Sequence, residues 1–317
     1  MNSELTADVR QTRKRFLELV ADVRPQLHRY CARMAGSISD GEDIVQETLA
    51  RAYFSLPEHE QMPPLRPWSI CSDTMDAPPQ AQNSRLSGWI FRIAHNCAID
   101  HLRRMERNRE ATAELEAESA VANSPTPEDV VAHDDALRAA LSHFMALPSR
   151  QRSCVILMDV LGHSLEEVAS LLDMSVQAVK AALHRGRSAL REQKAQPQPP
   201  RGPVSEQLNR YAQLFNARDW DGVRAMLDED VRLDLVTQSQ RSGRRQVGGY
   251  VDNYSRKTDW YFVPGWVEGR QVIGVFAGPQ DRTLRYFIEI RFAGEQVADI
   301  RDYRYVPYIA QDAYFTL

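Results

Sequence analysis

The feature that most constrains the fold is a change in hydrophobic spacing at residues 193–203, QKAQPQPPRGP. Before this proline-rich stretch, apolar residues recur every three or four positions, which is typical of amphipathic helices. After it, segments such as VRLDLV and RQVIGVFAG alternate apolar and polar residues, which is typical of strands. Helical spacing and strand spacing build different packed layers. We therefore predict an all-α part followed by a separate α+β domain.

Proline and acidic residues mark further connections within the helical part. Residues 57–83 are crowded with proline and polar residues and are predicted to form an irregular loop. Residues 108–133 contain an acidic, alanine-rich run and two prolines, which favours a linker. We therefore predict helical domains at residues 1–107 and 134–192, a tether at 193–204 and an α+β domain at 205–317.

Charge and hydropathy exclude several classes of protein. A net charge of −4 over 317 residues is not that of a globally basic nucleic-acid coat, so any DNA contact must be local. No run approaches the roughly 20 apolar residues of a membrane span, and the N-terminal residues lack the layout of a signal peptide, so we expect a cytoplasmic protein. Cys31, Cys71, Cys97 and Cys154 form no metal-ligand spacing, and we expect reduced thiols without a metal or other cofactor.

The stretch DGEDIVQETLARAYFSL, residues 40–56, predicts an amphipathic helix. Asp40 is the expected N-cap, with further acids in the first turn where the helix dipole favours negative charge. One stripe is apolar and should be buried, while a second face mixes acidic, amide and aromatic side chains. That mixed face is either a solvated acidic surface or a surface that binds a partner.

Residues 164–191, SLEEVASLLDMSVQAVKAALHRGRSALR, have the pattern of a helix-turn-helix. Ser164 and Glu167 form a predicted capping box, and Ser175 is the expected cap of the second helix. The outer face of that second helix carries Lys, Arg, His and Gln but no acid. Such a face suits phosphate contacts and base-edge contacts in a major groove, although a basic surface helix is the simpler alternative.

A second candidate face lies in SGWIFRIAHNCAIDHLRR, residues 87–104. Trp89, Arg92 and Asn96 recur at helical spacing, and an aromatic interleaved with Arg and Asn suits single-stranded nucleic acid, because a base can stack on the ring. The alternative is a tryptophan that belongs to the core.

These three segments, in this order, resemble the extracytoplasmic-function (ECF) sigma factors of bacterial RNA polymerase over residues 8–192. The resemblance implies a promoter-specificity subunit without catalytic residues. Its partners would be core RNA polymerase, through the clamp helices of the largest subunit, and promoter DNA, and the family also allows an anti-sigma factor. Residues 1–107 would then be sigma region 2, and residues 134–192 would be the helix-turn-helix of region 4.

The resemblance also assigns site residues. Those expected to bind core polymerase are Asp43, Gln46, Glu47, Arg51 and Phe54. Those expected to read the minus-ten element and melt DNA are Arg85, Trp89, Arg92, Asn96, Asp100, Arg103 and Arg104. Those expected to read the minus-thirty-five element are Ser175, Gln177, Lys180, Ala181, His184, Arg185 and Arg187.

The chain departs from this family in its long loop at 57–83 and in its last domain. Residues 205–317 resemble the cone-shaped SnoaL-like fold, which implies two helices, a curved antiparallel sheet and an apolar pocket. The candidate lining residues are Tyr211, Trp220, Asp234, Tyr261 and Trp266, and the carboxylates that could act as a base are Asp234, Asp299 and Asp302. We expect a regulatory domain. The alternative for the whole chain is a SnoaL-like enzyme or ligand sensor fused to a helix-turn-helix module.

Overall fold

The computed structural model describes residues 2–55, 79–117, 141, 144–192 and 202–317. The chain divides into two compact units, one of Met1–Pro125 with Ala139–Gln196 and one of Thr126–Arg138 with Pro197–Leu317. Most of the predicted loop at 57–83 and of the predicted linker at 108–133 lies outside the described residues.

Three long helices form the first part of unit one, which we call the α1–α3 bundle. They are α1 (Asn2–Ala35), α2 (Ile38–Ser55) and α3 (Pro79–Ala117). Helix α1 continues through Pro25, a residue that commonly bends or breaks a helix. A proline removes one backbone hydrogen bond, but Val23, Leu27 and Tyr30 continue the buried stripe across it, so packing maintains the helix.

The ends of α2 and α3 differ from the sequence prediction. The hydroxyl of Ser37 accepts a hydrogen bond from the N–H of Asp40 at 3.2 Å, so Ser37 and not Asp40 occupies the capping position. Helix α3 begins at Pro79, inside the predicted loop, because proline is tolerated in the first turn of a helix. It also continues beyond residue 107 to Ala117, through alanine, glutamate and leucine, which are strong helix formers.

The second part of unit one, the α4–α6 bundle, contains the predicted helix-turn-helix. Its elements are α4 (Ser149–Val155), which continues as a π-helical turn (Ile156–Val160), α5 (Leu165–Leu172) and α6 (Val176–Glu192). Pro148 directly precedes α4, Gly162 lies between the π-helical turn and α5, and Ser175 directly precedes α6. Gly186 lies where α6 meets α4, since a Cβ at this position would come within 2.8 Å of Val155.

Unit two has the predicted α+β architecture. Its helices are α7 (Glu206–Ala217), α8 (Trp220–Ala225), α9 (Arg244–Ser255) and α10 (Ile309–Asp312). Its strands are β1 (Leu227–Leu235), β2 (Ser239–Ser242), β3 (Tyr261–Val267), β4 (Arg270–Phe276), β5 (Tyr286–Ala293), β6 (Gln296–Asp302) and β7 (Phe315–Thr316).

The sheet of unit two corrects two expectations. Its order is β2-β1-β6-β5-β4-β3-β7, and β1 pairs with β6 in parallel, so the sheet is mixed and not wholly antiparallel. Strand β1 begins at Leu227, although residues 220–230, WDGVRAMLDED, have a pattern that favours a helix. Buried Leu227, Val231 and Leu233 join the core of this unit, and that tertiary packing overrides the helical pattern.

Candidate polymerase and promoter interfaces

Helix α2 separates a buried acid from exposed acids. Glu42 is fully buried and pairs with Arg24 of α1, so it stabilises the bundle. Asp43 is exposed, Gln46 is half-buried, and Phe54 is an exposed large apolar residue with 79% of its surface accessible. The mixed face predicted from the sequence therefore reaches solvent, with an aromatic side chain at its C-terminal end.

Glu47 links this face of α2 to α3. Its carboxylate accepts a hydrogen bond from Arg51 at 2.5 Å and another from Arg104 of α3 at 3.0 Å. Partial burial acts to raise the pKa of Glu47, but the hydrogen bond from Arg104 and the charge of Arg51 outweigh it and lower that pKa. Asp100 lies 3.7 Å from Arg51 and 3.9 Å from Arg103. Residues predicted for polymerase and residues predicted for DNA thus share one charged cluster.

A groove of about 660 Å³ adjoins this cluster, and four of its six lining residues are arginines. Its lining consists of Arg51, Asp100, Arg103, Arg104, Glu106 and Arg107. The excess of guanidinium groups gives it the charge that a nucleic-acid backbone attracts. Arg85 lies near the start of α3, and the structure gives no description of its side chain.

The N-terminal part of the candidate DNA-binding face of α3 is less exposed to solvent than the part that lines this groove. Trp89 is half-buried and packs against the hydrophobic core of unit one. Arg92 lies 3.5 Å from Asp173, which follows α5, while Asn96 is exposed. A groove of about 490 Å³ lies here between α3 and the α4–α6 bundle, lined by Arg92, His95, Asn96, Arg150, Leu171, Leu172, Asp173 and Met174.

The helix-turn-helix forms as predicted. Ser164 accepts a hydrogen bond from the N–H of Glu167 at 3.2 Å, and the Glu167 carboxylate accepts one from the N–H of Ser164 at 2.8 Å, which completes the capping box. Ser175 accepts from the N–H of Ala178 at 3.2 Å and starts α6. Ser175 therefore has a structural role in the cap, whatever else it contacts.

The outer face of α6 is accessible. Gln177, Lys180, His184 and Arg185 are exposed, and Ala181 is half-buried between them. Arg187 differs from the others, because its guanidinium holds the Asp159 carboxylate through two hydrogen bonds, of 2.9 Å from Nε and 2.5 Å from Nη2. This pairing raises the pKa of Arg187 and compensates its charge locally.

The candidate pocket residues of unit two do not share one face. Tyr211 is fully buried in the core and Trp220 packs against that core. Tyr261 and Trp266 are an odd number of positions apart on β3, so they point to opposite faces of the strand. Asp234 forms an ion pair with Arg301 at 3.3 Å, and Asp299 pairs with Arg291, so neither is the buried carboxylate.

Among the described residues of unit two, Asp302 is the buried carboxylate. The hydroxyls of Tyr250 and Tyr254 donate to its Oδ2 at 2.8 and 2.9 Å, and the N–H of Arg304 donates to its Oδ1 at 2.9 Å. Burial raises the pKa of Asp302 against the opposing effect of these donors. The cluster was only partly anticipated, because the sequence pointed to three aspartates and not to the tyrosines that surround one of them.

Comparisons with known proteins identify the family. A sequence model of Sigma-70 region 2 matches residues 19–72, and one of Sigma-70, region 4 matches residues 137–190. The ECF RNA polymerase sigma factor SigL of Mycobacterium tuberculosis is 30% identical over 165 residues, which are 52% of this chain and 80% of SigL. The chain belongs to the ECF sigma factors. It therefore binds core RNA polymerase and promoter DNA and acts in transcription initiation.

Two further similarities describe the extent of the match. SigW of Bacillus subtilis is 29% identical over 185 residues, which are 56% of this sigma factor and 88% of SigW. The crystal structure of SigJ of Mycobacterium tuberculosis covers 89% of this chain and 93% of its own, with 19% identity and a TM-score of 0.32. Within the part of the chain that the structure describes, no helix is long and apolar enough to cross a membrane.

Proposed function

We propose that this sigma factor binds core polymerase through the exposed face of α2 and promoter DNA through α3 and α6. The main support is the outer face of α6, the second helix of the helix-turn-helix. Lys180, His184 and Arg185 are exposed on this face. In a chain of net negative charge, an acid-free face of this kind concentrates the contacts that release counterions from DNA. Polymerase and promoter are its partners, so we place its action in the cytoplasm.

The α2 assignment is tested by charge reversal. Asp43→Arg with Glu47→Arg should abolish co-purification with core polymerase, because a partner that complements an acidic face would meet like charge. Neither residue lies on the buried stripe, so circular dichroism should retain the helical signal, while thermal unfolding measures what the lost Glu47–Arg104 hydrogen bond costs. Asp22→Arg, an exposed acid of α1, makes the same kind of charge change elsewhere and should retain binding. Equal binding by all the variants would remove α2 from the polymerase interface.

For unit two we propose a SnoaL-like regulatory domain, and not an enzyme. The support is the state of Asp302, whose oxygens already accept three hydrogen bonds inside the unit, so its role is structural. A contact of this unit with the sigma domains or with polymerase would change the fraction of transcription-competent protein. A chain ending at Glu192 should differ several-fold from the full chain in run-off transcription with core enzyme. Equal yields would contradict a regulatory role.

A further inference from the structure

The loop between α9 and β3 of unit two is surrounded by positive charge. Arg256 and Lys257 directly follow α9, and both are exposed. Arg218 ends α7, and its Nη1 donates to the carbonyl oxygen of Lys257 at 3.1 Å. Arg285, just before β5, donates through Nη1 to the carbonyl oxygen of Asp259 at 2.9 Å. Two guanidinium groups from distant parts of the chain therefore bind the same short loop.

A fifth cation, Arg304, follows β6 and lies over aromatic side chains next to this loop. Its guanidinium carbon is 5.3 Å from the centre of the Tyr254 ring and 6.0 Å from the centre of the Tyr286 ring. The ring of Tyr254 in turn meets the ring of Trp260, which belongs to the loop, at 5.5 Å. We call these five cations the basic rim of unit two: Arg218, Arg256, Lys257, Arg285 and Arg304.

The acids near the basic rim compensate only part of its charge. Asp259 lies 3.3 Å from Arg285, and the buried Asp302 attracts Arg304. Among the described residues, the other three cations of the rim form no ion pair. Uncompensated positive charges that meet around one exposed loop attract a polyanion, because each of them can replace a counterion of that polyanion.

Arg218 has a backbone conformation that most residues avoid. It ends α7 in the left-handed region, with φ of 59°, where glycine or asparagine is the usual residue. Its guanidinium lies over the ring of Trp260, 4.6 Å from the ring centre. Stacking on an aromatic ring fixes the position of an arginine and leaves the edge of its planar group able to donate hydrogen bonds. An arginine held in this way loses little conformational freedom when it binds an oxygen anion.

Helix dipoles account for only part of the basic rim. A cation near the C-terminus of a helix interacts favourably with the dipole, and Arg218 and Arg256 occupy the C-caps of α7 and α9. Arg285 and Arg304 flank strands β5 and β6, so no helix end explains them. Cations from four separate segments of the chain thus meet around one loop, and a binding surface for phosphate groups explains all of them.

The connection to α6 limits how far the basic rim can lie from bound promoter DNA. Residues 193–203 separate Glu192, at the end of α6, from Val204. A chain of this length spans at most about 40 Å when extended, which is roughly 12 base pairs of B-DNA. When α6 occupies the minus-thirty-five element, this connection keeps unit two at a high effective concentration beside the flanking duplex. A contact that is weak between separate molecules then contributes to affinity.

We propose that the basic rim of unit two binds the phosphate backbone of the duplex DNA that flanks the minus-thirty-five element. This inference rests on the proposed assignment of α6. Phosphate contacts carry no sequence information, so the rim adds affinity and salt dependence but does not select the promoter. Unit two therefore acts on DNA binding as well as through any contact with the sigma domains or polymerase.

Two DNA fragments test this contact with the full chain. One carries the minus-thirty-five element alone, and the other adds about 20 base pairs on each side, which exceeds the reach of the connection. In fluorescence anisotropy, the full chain should bind the longer fragment about tenfold more tightly and with a steeper salt slope. Arg256→Ala with Lys257→Ala should remove most of this gain and reduce the slope on the longer fragment by about two. Binding of the short fragment should be unchanged.

Two control variants separate the basic rim from total charge and from stability. Arg210→Ala with Arg245→Ala removes two exposed arginines from earlier turns of α7 and α9, and this variant should keep the gain. Arg256→Lys with Lys257→Arg preserves both charges and should also keep it, because phosphate contacts depend mainly on charge. Thermal unfolding of every variant checks that unit two remains folded.

A cleavage reagent attached to the loop shows where the DNA lies. Thr258 is exposed in the loop, so Thr258→Cys can carry an iron chelate that generates hydroxyl radicals. The background is Cys71→Ser, since the other three native cysteines are buried. We expect cleavage of the flanking duplex in the longer fragment. The same chelate on Gln246→Cys, near the opposite end of α9, should cleave that duplex less.

The outcomes separate this inference from the proposed function. Equal affinity of the full chain for the two fragments would overturn the inference, as would an unchanged gain in Arg256→Ala with Lys257→Ala or an equal loss in Arg210→Ala with Arg245→Ala. A rim variant that keeps the gain but no longer binds core polymerase would assign the rim to an acidic protein surface and would also overturn it. If the full chain bound the short fragment no better than one with an altered minus-thirty-five element, the assignment of α6 would fail, while a rim-dependent gain from the flanks would still support the inference.

Discussion

Helix α6 presents its basic face to solvent, whereas the matching face of α3 is partly covered by α5 and the residues that follow it. Both faces have cations at helical spacing, yet Lys180 and Arg185 are exposed while Arg92 meets Asp173 at 3.5 Å. A helical pattern determines which side chains share a face, and tertiary packing determines whether that face is available. In this protein the basic face of α6 is exposed, whereas the face of α3 that we propose for melting is partly covered.

The largest expected effect is on α6. Lys180→Ala with Arg185→Ala should weaken binding of the full chain to a minus-thirty-five fragment by on the order of 100-fold and reduce the salt slope by about two. Fluorescence anisotropy at several salt concentrations measures both. Arg245→Ala with Arg282→Ala removes two exposed arginines from unit two and should change neither. Equal losses in the two double variants would mean that binding depends on total charge and not on α6.

A smaller effect is expected for Trp89 on α3. Trp89→Ala should spare closed-complex binding but reduce promoter opening about tenfold, because base stacking is worth about 1–3 kcal/mol and the ring is already partly engaged in the core. Permanganate reactivity of promoter thymines reports opening. Trp89→Phe should retain an intermediate level. Unchanged reactivity in Trp89→Ala, with unaltered thermal unfolding, would show that α3 melts DNA without this ring.

The Asp159–Arg187 pair provides a finer comparison within α6. The carboxylate already compensates the arginine, so Arg187→Ala should weaken DNA binding less than Lys180→Ala does. Asp159→Asn removes that compensation and should strengthen binding by a few-fold at low salt. Anisotropy of the same fragment checks the order of the three variants. A loss in Arg187→Ala as large as in Lys180→Ala would mean that Arg187 leaves Asp159 to contact DNA.

The smallest expected effect is a pH dependence of the packing between the α1–α3 and α4–α6 bundles, an arrangement that we call the closed state. Burial, with the charges of Arg150 and Arg92, lowers the pKa of His95 to about 4 from an ordinary value of 6.5. When the two bundles separate, the His95 ring becomes exposed and gains a proton that its surroundings in the closed state exclude. The closed state therefore becomes less stable as pH falls from 6.5 toward 4. Between pH 7.5 and 6.0 the open fraction should rise by up to about fourfold.

The groups that face His95 are Tyr30, Arg92, Arg150 and Ser153, with Asp173 in the same groove. Spin labels at Glu106→Cys and Ser170→Cys, both exposed, would report opening by electron-electron distance measurement in the Cys71→Ser background. His95→Gln should remove the dependence. Because burial also lowers the pKa of His163, His163→Gln identifies any share of the effect that belongs to that residue.

The features that could be predicted from the sequence depend on residues that are close together in the chain. The capping box of Ser164 and Glu167 depends on residues three apart, and it forms as expected. Ser37 replaced Asp40 as the cap of α2 because several polar residues near a helix start can fill that position. The parallel pairing of β1 with β6 joins strands that are more than 60 positions apart, and no local pattern specifies it.

The contacts of Tyr30 with His95 and Ser153, which join the α1–α3 and α4–α6 bundles, could not be predicted from the sequence for the same reason. Tyr30 and Ser153 are separated by 123 positions, and Tyr30 and His95 by 65. Each of these residues on its own resembles a core aromatic, a surface imidazole or a small polar residue. Their common function in joining two bundles exists only after the chain has folded, as does the pairing of Asp159 with Arg187.

The distance between spin labels at Glu106→Cys and Ser170→Cys shows whether the α1–α3 and α4–α6 bundles stay packed together when the protein acts. In the free protein, α5 packs near Gly88, and Glu106 lies 18 helical residues farther along α3. We therefore expect a single population of distances between the labels, near roughly 30 Å. With core polymerase and a promoter fragment, we expect a shift to longer distances by tens of ångströms. An unchanged short distance in a complex that initiates transcription would contradict it.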